Sequence, residues 1–339
     1  MNIENSTSGM RMSSDSQLGE LTRVQARVPP ALSVVVPCYN EEAVLPETTR
    51  RLLALFDNLA SSGKIDVRSE VVFVDDGSRD STWALVREAH RADPRIRGVK
   101  LSANRGHQTA LVAGLYSASG DAVVSIDADL QDDLSAVEQM IAAYLAGKDV
   151  VYGVRGSRTA DTGFKRYTAE FYYRILAALG VTIVYNHADF RLLSRRALEA
   201  LKQYSEVNLF VRGIIPLLGF PSETVLYQRS ARFAGESKYP FRKMLALAVD
   251  GVTSFTAYPL RLIAMMGIAV SLLSVAMVVW VLWAKLMSDK AVPGWASSVI
   301  PIYFLGGLQL LSVGVLGEYV AKLYFEAKRR PRYFVEDSV

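Results

Sequence analysis

The chain is 339 residues long, 50% hydrophobic and 21% charged, with a net charge of +4. Such a chain can hold one sizeable soluble domain plus a membrane region; it is too polar to be purely membrane-embedded and too weakly basic to point to nucleic acid. Its single cysteine, Cys38, excludes an internal disulfide and a cysteine-built zinc site, and suits a domain facing the cytoplasm.

Residues 1–30, rich in Ser, Asn and Gly, have no apolar core and read as a disordered tail ending at Pro29-Pro30, not as a signal peptide. From Leu32 to Gly153 short apolar runs alternate with helical periods. LSVVVP predicts a strand, Ala43–Leu59 a helix, EVVFVDD a strand and Ser81–Ala92 a helix. IRGVKL, Gly106–Ser119, DAVVSIDAD, Leu134–Ala146 and DVVYG continue the alternation. Continuous apolar strands separated by helices of about 12 residues predict βαβ units and a mostly parallel sheet covered on both faces. Beyond Gly153 the alternation stops. Phe171–Val184 is apolar but too short to span a bilayer. Within 229–259, Phe241, Met244, Leu245, Ala248, Val249 and Val252 keep helical spacing and predict an amphipathic interfacial helix.

The segment 260–320 predicts a transmembrane hairpin, with spans over about 262–287 and 297–318. Trp280, Trp283 and Trp295 sit near the connecting turn, where interfacial aromatics belong. Arg229, Arg232, Lys238, Arg242, Lys243 and Arg261 precede the first span. Lys322, Lys328, Arg329, Arg330 and Arg332 follow the second, in a basic tail over 321–339. The turn and its edge hold only Lys285 and Lys290, so the positive-inside rule places the large domain and both termini in the cytoplasm.

Ligands of such sheets bind beyond the carboxyl ends of the strands, and three polar clusters fall there: Tyr39-Asn40-Glu41, Asp75-Asp76-Gly77-Ser78 and Asp127-Ala128-Asp129. In extended backbone Asp127 and Asp129 point the same way, and two carboxylates on one side suit Mg²⁺ or Mn²⁺ bridging to a diphosphate, with Gln131 next in the alternation. Asp75 or Asp76 can accept hydrogen bonds from a base or ribose, while Asp80 or Ser81 caps the next helix. His107 starts a helix near the same end, either lining the site or making a helix-terminal bond. Neither a GxGxxG nor a P-loop is present, which argues against a dinucleotide dehydrogenase or an NTPase.

The segments VVVPCYNEE, VVFVDDGSRDST, LSANRGHQTALVAGL and SIDADLQDD resemble family 2 glycosyltransferases of GT-A fold. HADFRLLSRRAL, RFAGESKYPF and the terminal spans look like the polyprenyl-phosphate glycosyltransferases, bactoprenol glucosyltransferases above all, with dolichol-phosphate mannose synthases more distant. The resemblance covers Leu32–Arg330 and implies a GT-A catalytic domain over 31–228. It implies inverting transfer of a hexose, glucose from UDP-glucose as the best match, onto undecaprenyl or another polyprenyl phosphate. By the same resemblance Pro37, Tyr39, Glu41, Asp75, Asp76 and Asp127 hold the nucleotide sugar. Asp127, Asp129 and Gln131 hold the metal and diphosphate. Arg155, Arg166, Arg232 and Lys238 contact phosphate or acceptor. Asp129 and Asp189 are its catalytic candidates, Asp189 as base or sugar-orienting group, with a salt bridge to Arg191 as the competing role. Asp132-Asp133 departs from the His-Pro or Asp-Pro common at this place, which leaves the start of the following helix open. A homo-oligomer is expected from a short hairpin that can pack with copies of itself.

Two other readings compete. A processive polysaccharide synthase typically carries a Q-x-x-R-W motif; here Gln228 and Arg232 have wider spacing and no Trp, and two spans cannot enclose a polymer channel within one subunit. A non-catalytic membrane scaffold would not need the intact DxD.

Overall fold

Every residue of Leu32–Cys38 (β1) and of Glu70–Asp75 (β2) is buried. Runs of valine on a pleated backbone bury both faces at once, which is what a central parallel strand requires. In the computed structural model, described over residues 27–156, 187–206, 211–228, 258–287 and 295–339, these strands lie at the middle of one eight-stranded sheet. The other strands are Ile96–Leu101 (β3), Ala122–Ser125 (β4), Val150–Arg155 (β5), His187–Ser194 (β6), Ser222–Tyr227 (β7) and Val335–Ser338 (β8). Their order is β7-β5-β6-β4-β1-β2-β3-β8. β1 pairs in parallel with β2 and β4, β2 with β3, and β5 with β7; β6 runs antiparallel between β4 and β5.

Helices cover both faces. Leu45–Ser61 (α1), Thr82–Ala92 (α2) and Ala136–Leu145 (α4) close one core around Leu52, Phe56, Phe73 and Met140. His107–Ser117 (α3), Arg195–Lys202 (α5) and Val211–Leu217 (α6) close the other around Val35, Val74, Leu111 and Leu198. α3 lies so close to the sheet that a Cβ at Gly114 would sit 2.3 Å from Val35 Cγ1. Gly114 therefore sets how near α3, and with it His107, approaches the strand ends.

The predicted strands and helices are present with boundaries shifted by a few residues, except that DAVVSIDAD forms a strand only over Ala122–Ser125. The terminal segment 321–339, expected as a basic tail, divides in the structure. Tyr258–Met287 (α7) and Trp295–Lys328 (α8) are long helices, and after α8 the chain returns to the sheet as β8, antiparallel to β3. The acidic strand matches its basic neighbour: Lys100 Nζ lies 3.0 Å from Glu336 Oε1, and Trp83 Nε1 donates to Asp337 Oδ2 at 3.3 Å. Among the described residues one helical stretch, Phe304–Lys328 within α8, is long and apolar enough to cross a membrane. Of the tail expected over 1–30, residues 1–26 lie outside the described residues, as do the apolar Phe171–Val184 and the interfacial stripe 241–252; Arg27, expected within that tail, is instead bonded to Asp149.

Asp149 ties the start of the domain to its far side. Its fully buried carboxylate accepts from Arg27 Nη2 at 2.7 Å, Ser194 Oγ at 2.7 Å and Arg196. Burial pushes this carboxyl up, but those three partners outweigh it and hold it below the usual carboxylate value. A lowered folded pKa contributes stability that is present above the unfolded value of about 3.9 and lost as pH falls through the folded one. The melting temperature is therefore expected to fall on acidification below about pH 5, and the Asp149→Asn variant, already less stable at neutral pH, should show a flatter acid limb. An unchanged acid limb in that variant would remove Asp149 from the account.

Candidate active site

The loops after β1 and β2 are laced together by hydrogen bonds. Asn40, at φ 55°, donates its N–H to Ser78 Oγ (2.9 Å) and accepts from Arg79 N (2.9 Å). Glu41 N donates to Thr82 Oγ1, and Ser81 N donates to Glu42 Oε2. Pro37 lies buried within β1, while Tyr39, 42% exposed, stands at its end.

Asp75 closes β2 fully buried. Its Oδ1 accepts from Ser78 N at 3.1 Å, and its Oδ2 has no hydrogen-bond partner. Burial pushes this carboxyl up. An acceptor left unmade in the interior costs about 1–3 kcal/mol, an arrangement that an N–H from a ligand would satisfy. Asp76 is engaged differently: it accepts from the backbone N–H groups of Arg105 (2.7 Å) and Gly106 (2.8 Å) and so fixes the loop before α3. Gly77 permits that approach. At φ 67° it leaves room where a Cβ would lie 2.7 Å from Asn104 N.

The loop held by Asp76 delivers His107. Its Nε2 lies 3.6 Å from Asp127 Oδ1 and 3.4 Å from Asp189 Oδ2. Asp127 lies just past β4, and Asp189 lies in β6, whose antiparallel insertion beside β4 brings the two carboxylates to one imidazole. Asp189 accepts from Arg191 Nη2 at 2.6 Å and is forked by Arg212, through Nε to Oδ1 at 3.0 Å and Nη2 to Oδ2 at 2.7 Å. The backbone carbonyl of Asp189 accepts from Ser125 Oγ. The two carboxyls are driven apart. Burial pushes Asp127 up, with Asp189 and Asp129 adding repulsion. For Asp189, burial is outweighed by His107, Arg191 and Arg212, which hold it well below the usual carboxylate range. Burial lowers His107, but the Asp189 hydrogen bond and the Asp127 charge more than reverse that and raise it. Arg212, from α6, is the residue that sequence reasoning missed. Its only signal was a lone charge in the apolar run LFVRGIIPLLG.

Asp127 and Asp129, expected in extended backbone, lie past the end of a strand. β4 ends at Ser125, Ala128 and Asp129 lie in a turn, and Leu130 follows at φ 56°. Asp129 Oδ1 accepts from Gln131 N at 3.2 Å. The donor chemistry still fits a hard divalent cation: two carboxylates, plus the buried Gln131 Oε1, which has no hydrogen-bond partner. Among the described residues no three His, Cys, Asp or Glu side chains gather into a metal-binding group, so substrate oxygens and water would complete a coordination shell, as is usual for Mg²⁺. Arg155 ends β5, its backbone paired with Tyr227. Arg166, Arg232 and Lys238 lie outside the described residues.

Residues 33–202 match the model of Glycosyl transferase family 2. An uncharacterized glycosyltransferase of Bacillus subtilis (strain 168) is 47% identical over 309 residues, 91% of each chain. A prophage-derived bactoprenol glucosyl transferase of Shigella flexneri is 38% identical over 311 residues, covering 91% of this chain and 98% of that protein. Among solved structures, a glucosyl-3-phosphoglycerate synthase from Mycobacterium tuberculosis is 22% identical, covers 66% of this chain and 78% of that one, and superposes with a TM-score of 0.44.

Proposed function

The chain belongs to glycosyl transferase family 2, and on that premise we propose that it transfers glucose from UDP-glucose to a polyprenyl phosphate on the cytoplasmic leaflet of a bacterial inner membrane. The observation that carries the reading is the joining of two features. Asp127 and Asp189 meet at His107 beside the carboxyl end of β4 while Asp75 closes β2, and the sheet that holds them is completed by a strand arriving from a helix of membrane-crossing length. The bactoprenol glucosyl transferase relative spans both parts of the chain.

The same join supports the proposed membrane topology. The chain leaves the sheet after β7 and rejoins it as β8, so the segment between them crosses a bilayer an even number of times. If Phe304–Lys328 within α8 crosses, α7, about 45 Å long, is the natural second span. The catalytic domain and the terminal strand then lie on one side, which the flanking Lys and Arg make the cytoplasm.

In the proposed reaction an oxygen of the acceptor phosphate attacks the anomeric carbon. The bond to the nucleoside diphosphate breaks, and configuration inverts. A phosphate monoester, with a second pKa of about 6, is largely dianionic at neutral pH, so the nucleophile has no proton to lose. Asp189, held low and forked by Arg212, is therefore better placed to orient the sugar and His107 than to act as a base. Asp75 Oδ2 offers an acceptor to the base of the nucleotide, and Asp76 positions the Arg105–His107 loop. Asp127, Asp129 and Gln131 are the residues to hold Mg²⁺ or Mn²⁺, which when bound neutralises charge on the leaving diphosphate. Arg155, Arg166, Arg232 and Lys238 are proposed to share the remaining phosphate charge.

The test is transfer of radiolabelled sugar from a panel of UDP- and GDP-sugars to undecaprenyl phosphate, using membranes that carry the full chain. Lipid-extractable label from UDP-glucose is expected. Label from another donor would correct the sugar, and polymeric product or none at all would overturn the reading.

A further inference from the structure

A cleft of 460 Å³ opens where α8 meets the loop before α3. Arg105 and Thr109 form one wall. Phe325, from the last turns of α8, and the segment Arg330-Pro331-Arg332 with Phe334 form the other. Arg332 is committed to bracing, donating to the carbonyls of Glu206 (2.7 Å) and Tyr204 (2.9 Å). Among the described residues, the guanidiniums of Arg105 and Arg330 have no hydrogen bond or ion pair, and no carboxylate lines the cleft. Three like charges around one cavity repel unless an anion sits between them. The two phenylalanine rings, each 58% exposed, add apolar surface beside that charge. An anionic head on a hydrocarbon tail satisfies both.

We propose that this cleft seats the phosphate head of the lipid acceptor, a proposal that rests on the polyprenyl-phosphate reading above. Its position supports the source. Phe325 belongs to the membrane-length stretch Phe304–Lys328, so the cleft lies at one end of that stretch, where lipid headgroups would be. Its other wall shares a loop with the reaction site. The backbone N–H of Arg105 is bonded to Asp76, and His107, two residues on, reaches Asp127 and Asp189. A monoester dianion suits paired guanidiniums better than the single charge of a phosphodiester lipid does.

The experiment is equilibrium binding of radiolabelled undecaprenyl phosphate to the purified full chain in detergent. Unlabelled undecaprenyl phosphate, undecaprenol and phosphatidylglycerol serve as competitors, and UDP affinity is measured in parallel. The double variant Arg105→Gln, Arg330→Gln is expected to bind the lipid phosphate roughly tenfold or more weakly, since charge-assisted bonds are lost, with UDP affinity unchanged. Arg91→Gln, an exposed position on α2, should bind like wild type, and only unlabelled undecaprenyl phosphate should compete. Undiminished lipid binding in the double variant overturns the proposal. So does equal competition by phosphatidylglycerol, which makes the cleft a bulk-lipid site, or a parallel loss of UDP affinity. Wild-type binding without sugar transfer would sink the enzymatic reading and leave the cleft standing; transfer with unaltered variant binding would do the reverse.

Discussion

Asp127→Asn is expected to lower sugar transfer by about 10²–10³-fold while leaving the melting temperature unchanged or raised. The two halves of that result have separate causes. Asp127 lies at the end of the central parallel strands, beside His107, where a carboxylate can take part in holding a diphosphate and its cation. Asparagine keeps the shape and removes the charge. Burial already pushes Asp127 up, so the fold bears a cost for keeping it ionised, and the neutral amide relieves that cost. Loss of function without loss of stability marks a residue kept for chemistry. The measurement pairs lipid-extractable label per unit time with thermal unfolding in detergent. EDTA should reduce the wild type toward the variant's rate and leave the variant little affected. A variant that keeps wild-type turnover would remove Asp127 from the site.

For Asp189→Asn the expected result is opposite in kind: a stability loss of about 3–5 kcal/mol, accompanied by loss of activity. Asp189 is buried and shared between the fully buried Arg191 and the fork of Arg212. Its removal leaves guanidinium charge in the interior without the carboxylate that offsets it, and the depressed pKa of Asp189 reports how strongly those partners favour the ionised form. The contribution is present above the ordinary aspartate value of about 3.9 and is lost as pH falls through the depressed folded value. Denaturant unfolding of the full chain at neutral pH, compared with the Asp127→Asn variant, separates the two carboxylates. A variant as stable as wild type would show that Arg191 and Arg212 find compensation elsewhere. Asp127 and Asp189, both within reach of one imidazole, are thus pushed in opposite directions from the ordinary carboxylate value by their surroundings.

Much of this was legible along the chain. The valine runs of β1, β2 and β4 and the helical periods of α1 to α4 are local patterns, and a parallel sheet follows from their alternation. With the sheet comes the place of the site, because polar clusters after buried strands can only gather at the carboxyl ends. Tyr39, Asp75 and Asp127 were expected there, and they lie at the ends of β1, β2 and β4. The Asp127–Asp129 spacing was read from an extended backbone, whereas β4 ends at Ser125 and the motif occupies a turn.

The amino-acid sequence by itself determined the α/β alternation, the strand-end clusters and the long apolar helices, since each depends on neighbours within about one element's length. Only the tertiary structure decided which sheet edges found partners. β6 enters antiparallel between β4 and β5, which brings Asp189 to His107 and allows Arg212 of α6 to reach it. β8 closes the β3 edge from the far end of the chain, with Lys100 meeting Glu336 across 236 positions. No periodicity announces such a pairing. It is set by an edge left with unpaired backbone groups and by a short strand of matching charge that the rest of the fold delivers to it.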